Sequence, residues 1–409
     1  MRKLLLSAFT LVVVASPGRA LLRAQVIPRS RLVDGVVELQ HSADAFQRAP
    51  QFVLSAKPLA TLVDQASVDL TWAFDVALLS DGRIVTLARV GNHLLLFEPD
   101  GRFAKELSRK GNGPGDIMAP TGLARTRGDT LVMLDPANNR VNRVLPSKGF
   151  VSTRTMPPGA PRSTIAAVGM LRGGELVAAA SGWNDRQYTA RAWRQSAPVV
   201  LFNASATAAT IVATVPDLEL RRVDTHFRGR TNTIAEPLRL SRDAKVVAWD
   251  TVIATGSGDG YRIDLRDRRG RIHTVVRVHV ARRAVSQAMR DSVVASALRE
   301  LDGPHAERMP DAAEARRVAR SAPFADSLPP YGGWFVTPNY TLWITDCPAP
   351  GDRRGGATAF RQDGAIVGRL SWPSGDLAIA FSDDRVVLRH VDDDGVVSLR
   401  VYELRRASP

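Results

Sequence analysis

Seven histidines are the first residues to test for chemistry: His41, His93, His226, His273, His279, His305 and His390. Zinc sites take ligands at short spacings, because the donors must converge about 2 Å from one ion. No H-x-H or H-x-x-x-H spacing occurs, and no histidine clusters with cysteine or carboxylates. His273 and His279 share one face of a predicted strand, but six residues of strand span ~20 Å, too far for one ion. The single cysteine, Cys347, has no histidine near it in sequence, so neither an internal disulfide nor a reactive thiol is expected. Gly111-Asn112-Gly113-Pro114-Gly115 lacks the Lys-Ser/Thr pair and the helix of a phosphate loop, and reads as a turn. Gly256-Ser257-Gly258-Asp259-Gly260 reads as a hairpin loop. Asp392-Asp393-Asp394-Gly395 shows only the first part of a calcium loop and reads as a surface turn. Asp135, Asp250 and Asp346 recur at what reads as the end of a second strand, a repetition that fits a structural Asx hydrogen bond. No catalytic residue, metal site or cofactor is therefore expected. The alternative is a metal-dependent hydrolase of the lactonase or esterase type, whose ligands would converge on a channel from separate repeats and leave no local motif.

Residue types that recognise partners are easier to find. A predicted loop from Ser181 to Trp193 holds Trp183, Arg186 and Tyr188, and a second from Cys347 to Gly356 holds Arg353 and Arg354. Tyr331 and Trp334 precede a predicted strand and are expected to face a channel or the same rim as the loops. Aromatic residues mixed with arginine are enriched at energetically dominant contact points. These seven residues form the candidate binding rim.

The elements that must position them repeat. Asp81–Leu87, Leu94–Phe97 and Asp100–Phe103 read turn, strand, strand, turn, strand. Arg127–Asp135, Arg140–Val144 and Lys148–Val151 read the same. Further copies begin at Lys245, Leu342 and Arg385, and a weaker one at Glu175. A period in the forties with about four short strands per repeat is the signature of propeller blades. The expected fold is all-β, a six-bladed β-propeller over residues 55–406. Its last copy holds only three strands, so Leu59–Val63 is expected to pair with Val396–Leu404 and leave no open edge. Val37–Val53 is expected to extend this pairing or to lie across the surface. Between the fourth and fifth blades, about residues 281–323, the pattern turns helical. Val285, Met289, Val293, Ala297 and Leu301 fall on one helical face. Asp311 with Glu314 forms a capping box that opens a second helix, stopped at Pro323. This two-helix insertion is expected to pack on a blade.

Arg2 and Lys3, the apolar run Leu4–Ala15 and Gly18-Arg19-Ala20 have the layout of a secretory signal peptide over residues 1–24. Residues 25–54 then form an N-terminal extension. The apolar run is shorter than the ~20 residues of a spanning helix, so no membrane insertion is expected. Export to the periplasm or the extracellular space is expected after cleavage. The formal charge is +14, yet of 55 basic residues only six are lysine, and the arginines are spread along the chain beside acids. That pattern reads as a solvated mixed-charge surface rather than a nucleic-acid face. The expected protein is a monomer that binds a protein, peptide or glycan ligand, with no nucleic acid.

Gly111–Asp116, Pro120–Ala124, Leu131–Asp135 and Asn138-Asn139-Arg140-Val141 together resemble an NHL-type repeat. The chain from about residue 55 to 406 is similar to the exported six-bladed, TolB-like propellers of bacteria. That resemblance implies a helical insertion before the fifth blade and a closing Val-Tyr-x-Leu strand, here Val401-Tyr402-Glu403-Leu404. It implies no particular chemistry.

Overall fold

The computed structural model describes residues 25–64, 68–70, 73–88, 93–161, 165–180, 192–227, 230–302, 312–352, 354–373, 375–392 and 394–407. Residues 1–24, the expected signal peptide, lie outside them. In chain order the structure opens with β1 (Arg29–Val33), β2 (Val36–His41), α1 (Ala45–Arg48), β3 (Gln51–Leu54) and β4 (Ala60–Val63). An antiparallel run of four strands then recurs along the chain. The first run is β5 (Ala73–Leu78), β6 (Ile84–Ala88), β7 (His93–Phe97) and β8 (Phe103–Ser108). The second is β9 (Thr121–Arg125), β10 (Leu131–Asp135), β11 (Arg140–Leu145) and β12 (Gly149–Thr155). The third is β13 (Ile165–Met170), β14 (Leu176–Ala180), β15 (Ala192–Phe202) and β16 (Ala209–Phe227), with β17 (Arg230–Pro237) added outside. The fourth is β18 (Lys245–Trp249), β19 (Val252–Gly256), β20 (Arg262–Arg266) and β21 (Ile272–Val278). Helices α2 (Gln287–Asp302) and α3 (Ala312–Ser321) follow. The next run is β22 (Trp334–Val336), β23 (Leu342–Thr345), β24 (Arg354–Phe360) and β25 (Ile366–Pro373). The chain finishes with β26 (Leu377–Phe381), β27 (Arg385–Val391) and β28 (Val397–Arg406).

The fold is mostly β, with propeller-like curvature. The first strand of each run packs on that of the next: β5 on β9, β9 on β13, β13 on β18, β18 on β22, β22 on β26, and β26 on β5. Small residues permit this approach. A Cβ on Gly122, whose φ of +68° already favours glycine, would sit 2.1 Å from the Ala167 carbonyl oxygen. A Cβ on Gly169 would meet that of Ala248 at 2.9 Å. Apolar residues on both faces of the middle strands fill the space between runs, as in the cluster of Ile84, Phe97, Val387 and Leu399. Full burial of each large side chain contributes about 1.5–3 kcal/mol relative to exposure.

β4 completes the last run. It pairs antiparallel with β28, from Ala60 opposite Val401 to Val63 opposite Ser398, and Leu62 is fully buried. The expected closing strand is therefore present. The rest of the N-terminal extension divides: β3 pairs with both β25 and β28, whereas β2 adds to the outer edge of β21 in parallel.

The second run shows why its sequence is so distinctive. The Asp135 carboxylate accepts from the backbone N–H groups of Met118 and Ala119, both at 3.0 Å. Asn138 donates to Asp135 and to the Gly111 carbonyl, and Arg140 donates to the carbonyls of Gly113 and Asn112. Asp, Asn and Arg thus hold the Gly-rich turn in place. This is the structural job expected for Asp135.

Asp250 differs. Lys245–Trp249 is the first strand of its run, not the second, because the short Val252–Gly256 also pairs. Asp250 therefore sits in the turn after a first strand, where it binds Arg172. The helices pack on each other, and α3 lies against β16, where Arg221 donates to the Ser321 carbonyl at 2.7 Å. Asp311 lies outside the described residues.

Candidate functional site

A cavity of about 460 Å³ opens where the six inner strands meet. Each strand supplies a wall residue: Val76, Leu123, Val168, Val247, Val336 and Ile379. Among the described residues lining it there is no Asp, Glu, His or Asn. Its volume falls within the range of small-ligand pockets. The wall presents hydrocarbon because the inner strands turn branched and small apolar residues towards it while their alternate residues are buried, as along Thr121–Arg125.

The mouth is different. It is built from the turns that follow the first strands. Arg127 reaches across from the turn after β9 to the turn after β22, on the opposite side of the cycle of inner strands. Its guanidinium carbon stands 4.9 Å from the centroid of the Tyr340 ring, and its Nε–H points at the Pro338 carbonyl at 3.4 Å. Arg172, from the turn after β13, stands 5.2 Å from the same ring. Tyr340 has φ +60°, an uncommon state for a bulky residue, held by the Trp249 indole N–H donating to its carbonyl at 2.7 Å. Asp129 and Asp250 are also left-handed here, and they anchor Arg125 and Arg172 respectively. The Asp250 carboxylate, and secondarily the Tyr340 hydroxyl, push Arg172 further towards its charged form. Among the described residues, Arg127 meets no carboxylate.

At the far ends of the inner strands, the loops after the second strands surround a smaller cavity of about 200 Å³ between the fourth run and the next. Here three of the arginines are paired with acids. Arg242 binds both Glu219 and Asp259, Arg194 also binds Asp259, and Arg283 binds Asp352 at 3.0 Å. Behind them Asp346 holds Arg369, and burial raises the Asp217 carboxyl while the Ala244 N–H donates to it at 2.9 Å. Burial also raises the Cys347 thiol, consistent with an unreactive cysteine.

The candidate rim residues separate. Arg354 lines the smaller cavity and donates to the Ser371 hydroxyl. Trp183, Arg186, Tyr188 and Arg353 lie outside the described residues. Tyr331 is 1% exposed; its ring packs on Tyr261 and Trp334, and its hydroxyl accepts from the Gly258 N–H. It belongs to the core and offers no rim surface, because the residues around it are among the largest in the chain. Trp334 lines the larger cavity, and its indole N–H finds no acceptor among the described residues. The described part of the loop Cys347–Gly356 and the mouth of the larger cavity are at opposite ends of the strands.

Sequence reasoning missed Arg127, Arg172 and Tyr340. One signal was available: Arg127-Gly128 and Arg172-Gly173-Gly174 place arginine before a glycine turn at the same point of successive repeats. Tyr340 had no such signal, since its contacts are made across the cavity mouth.

Among the described residues no group of three or more His, Cys, Asp or Glu is placed to hold a metal ion, and no helix is long and apolar enough to cross a membrane. No protein-family model and no curated protein matches the chain. Solved structures do resemble it at low identity. A Bacteroides fragilis protein described as exported is 12% identical, covers 91% of this chain and 99% of its own, and has a TM-score of 0.48. Virginiamycin B lyase from Staphylococcus aureus is 11% identical, with 87% and 99% covered and a TM-score of 0.40. A gluconolactonase from Xanthomonas campestris is 13% identical, with 93% and 100% covered and a TM-score of 0.39.

Proposed function

We propose that the chain is an exported six-bladed β-propeller, with a two-helix insertion between the fourth and fifth blades, and that it acts as a binding module. It would recognise a protein, peptide or envelope glycan through one rim. The observation that carries this reading is the larger cavity: hydrocarbon from all six inner strands, entered past arginines and a tyrosine. Apolar walls with a few polar groups at the entrance are the usual make-up of a recognition pocket. We place the binding rim at this end, opposite the loop that holds Arg354.

The alternative is a lactonase-type hydrolase with a cation in the channel. Its hard cation would need converging oxygen donors, and the six wall residues above carry none. Elemental analysis of the purified protein, with lactone and ester hydrolysis assays run in parallel, tests the choice. We expect sub-stoichiometric calcium and zinc and no turnover. One equivalent of metal, lost together with a measurable hydrolysis rate, would overturn the binding reading.

A further inference from the structure

We infer that the larger cavity takes an apolar carboxylate, with the acid group held at its mouth by Arg127 and Arg172 and the apolar body among the six wall residues. The inference rests on the binding reading above and gives it a ligand chemistry.

Three observations lead there. First, the lining residues carry three guanidinium groups and no carboxylate, and although Asp129 and Asp250 balance Arg125 and Arg172 from behind, Arg127 meets no acid among the described residues. Second, Arg127 is held only weakly. A cation–π contact at an exposed site contributes about 0.5–1 kcal/mol, and its one hydrogen bond to Pro338 is long. A charge-assisted pair with a carboxylate is stronger than a neutral bond and suits the planar guanidinium fork. An incoming acid therefore displaces Tyr340 from Arg127 at small cost and opens the cavity that the pair spans. Third, the neighbouring arginines are positioned from behind. Asp250 grips Arg172 through two hydrogen bonds, at 2.5 and 2.8 Å, and Asp129 grips Arg125. Neither aspartate lines the cavity, so the guanidinium of Arg172 is oriented without placing an anion inside.

The same chemistry is found at the C-terminus of a peptide ending in an apolar residue and in a free aromatic or aliphatic acid. Calorimetry on the full-length exported form separates the sources. The probes are 3-phenylpropionate, 3-phenylpropionamide, and N-acetyl-Ala-Phe as free acid and as amide. We expect at least one acid to bind at least tenfold more tightly than its amide. Tighter binding of the dipeptide acid identifies a peptide terminus, and tighter binding of phenylpropionate identifies a free acid. We also expect Arg127→Gln to remove that preference while its melting temperature stays within a few degrees of the parent. The inference is overturned if acid and amide bind alike, if Arg127→Gln binds the acid as the parent does, or if no acid binds. A peptide pair bound equally as acid and amide, and lost in the cavity-filling variant Ala380→Trp, overturns the carboxylate inference but leaves the binding module standing. Metal-dependent hydrolysis instead overturns the module itself.

Discussion

The two ends of the inner strands are built from the same repeated frame, yet they differ in how their arginines are held. At the end carrying the loops after the second strands, arginines meet acids: Arg242 with Glu219 and Asp259, Arg283 with Asp352, and Arg369 with Asp346 just behind. At the cavity end Arg125 and Arg172 also meet acids, Asp129 and Asp250, but Arg127 leans on an aromatic ring. Paired, partly buried charges resist removal, because the partner left behind is desolvated and alone. An arginine on a tyrosine is replaceable. The difference teaches that the first end resists the loss of a charge, whereas at the second one arginine, Arg127, is held by a ring and a single long hydrogen bond.

The comparison can be broken most directly at Asp346. Asp346→Ala leaves the largely buried Arg369 guanidinium without its carboxylate, and we expect a loss of about 2–3 kcal/mol in urea unfolding. Glu219→Ala should cost less, about 1–2 kcal/mol, because Arg242 retains Asp259. Tyr340→Asn at the other end should shift stability by under ~1 kcal/mol: relief of the left-handed backbone offsets the lost cation–π contacts. If Tyr340→Asn proved as costly as Asp346→Ala, the contrast between the ends would fail. The smallest effect is a slope with pH. Burial raises Asp217, so the folded chain holds that proton more tightly than the unfolded one. Its contribution is fully present below the ordinary Asp range and is lost as pH rises through the raised value. Asp217→Asn should flatten this part of the stability profile, read from urea midpoints across the acid range, because Asn still accepts from Ala244.

Much of the frame was legible in the sequence because its signals are local. Asp-Gly turns, short β-branched strands and the Asn-Arg pair after Asp135 each act within a few residues or one repeat. The closing strand was legible for a different reason: three strands in the last copy leave an edge that something must cover. The third run was harder to read. Its outer strands extend to β16 and β17, and no turn residue announces a strand of 19 residues. The fourth run misled because Val252–Gly256 follows Lys245–Trp249 after only two residues and ends in Thr-Gly, so the second of two five-residue strands reads as loop. The cavity mouth was invisible for a general reason. Arg127 and Tyr340 lie more than 200 residues apart, and only closure of the cycle makes them neighbours. Tyr331 looked like a surface aromatic because its core partners, Tyr261 and Trp334, come from two different runs.

The pairing of β4 with β28 also sets an order of events. Its partners are about 340 residues apart, a separation that makes contact formation slow and late. Every other run can begin to zip as soon as its own strands are available, but this one waits for the final strand to emerge. Until then Leu62 has no permanent shelter, and the cycle can still come apart.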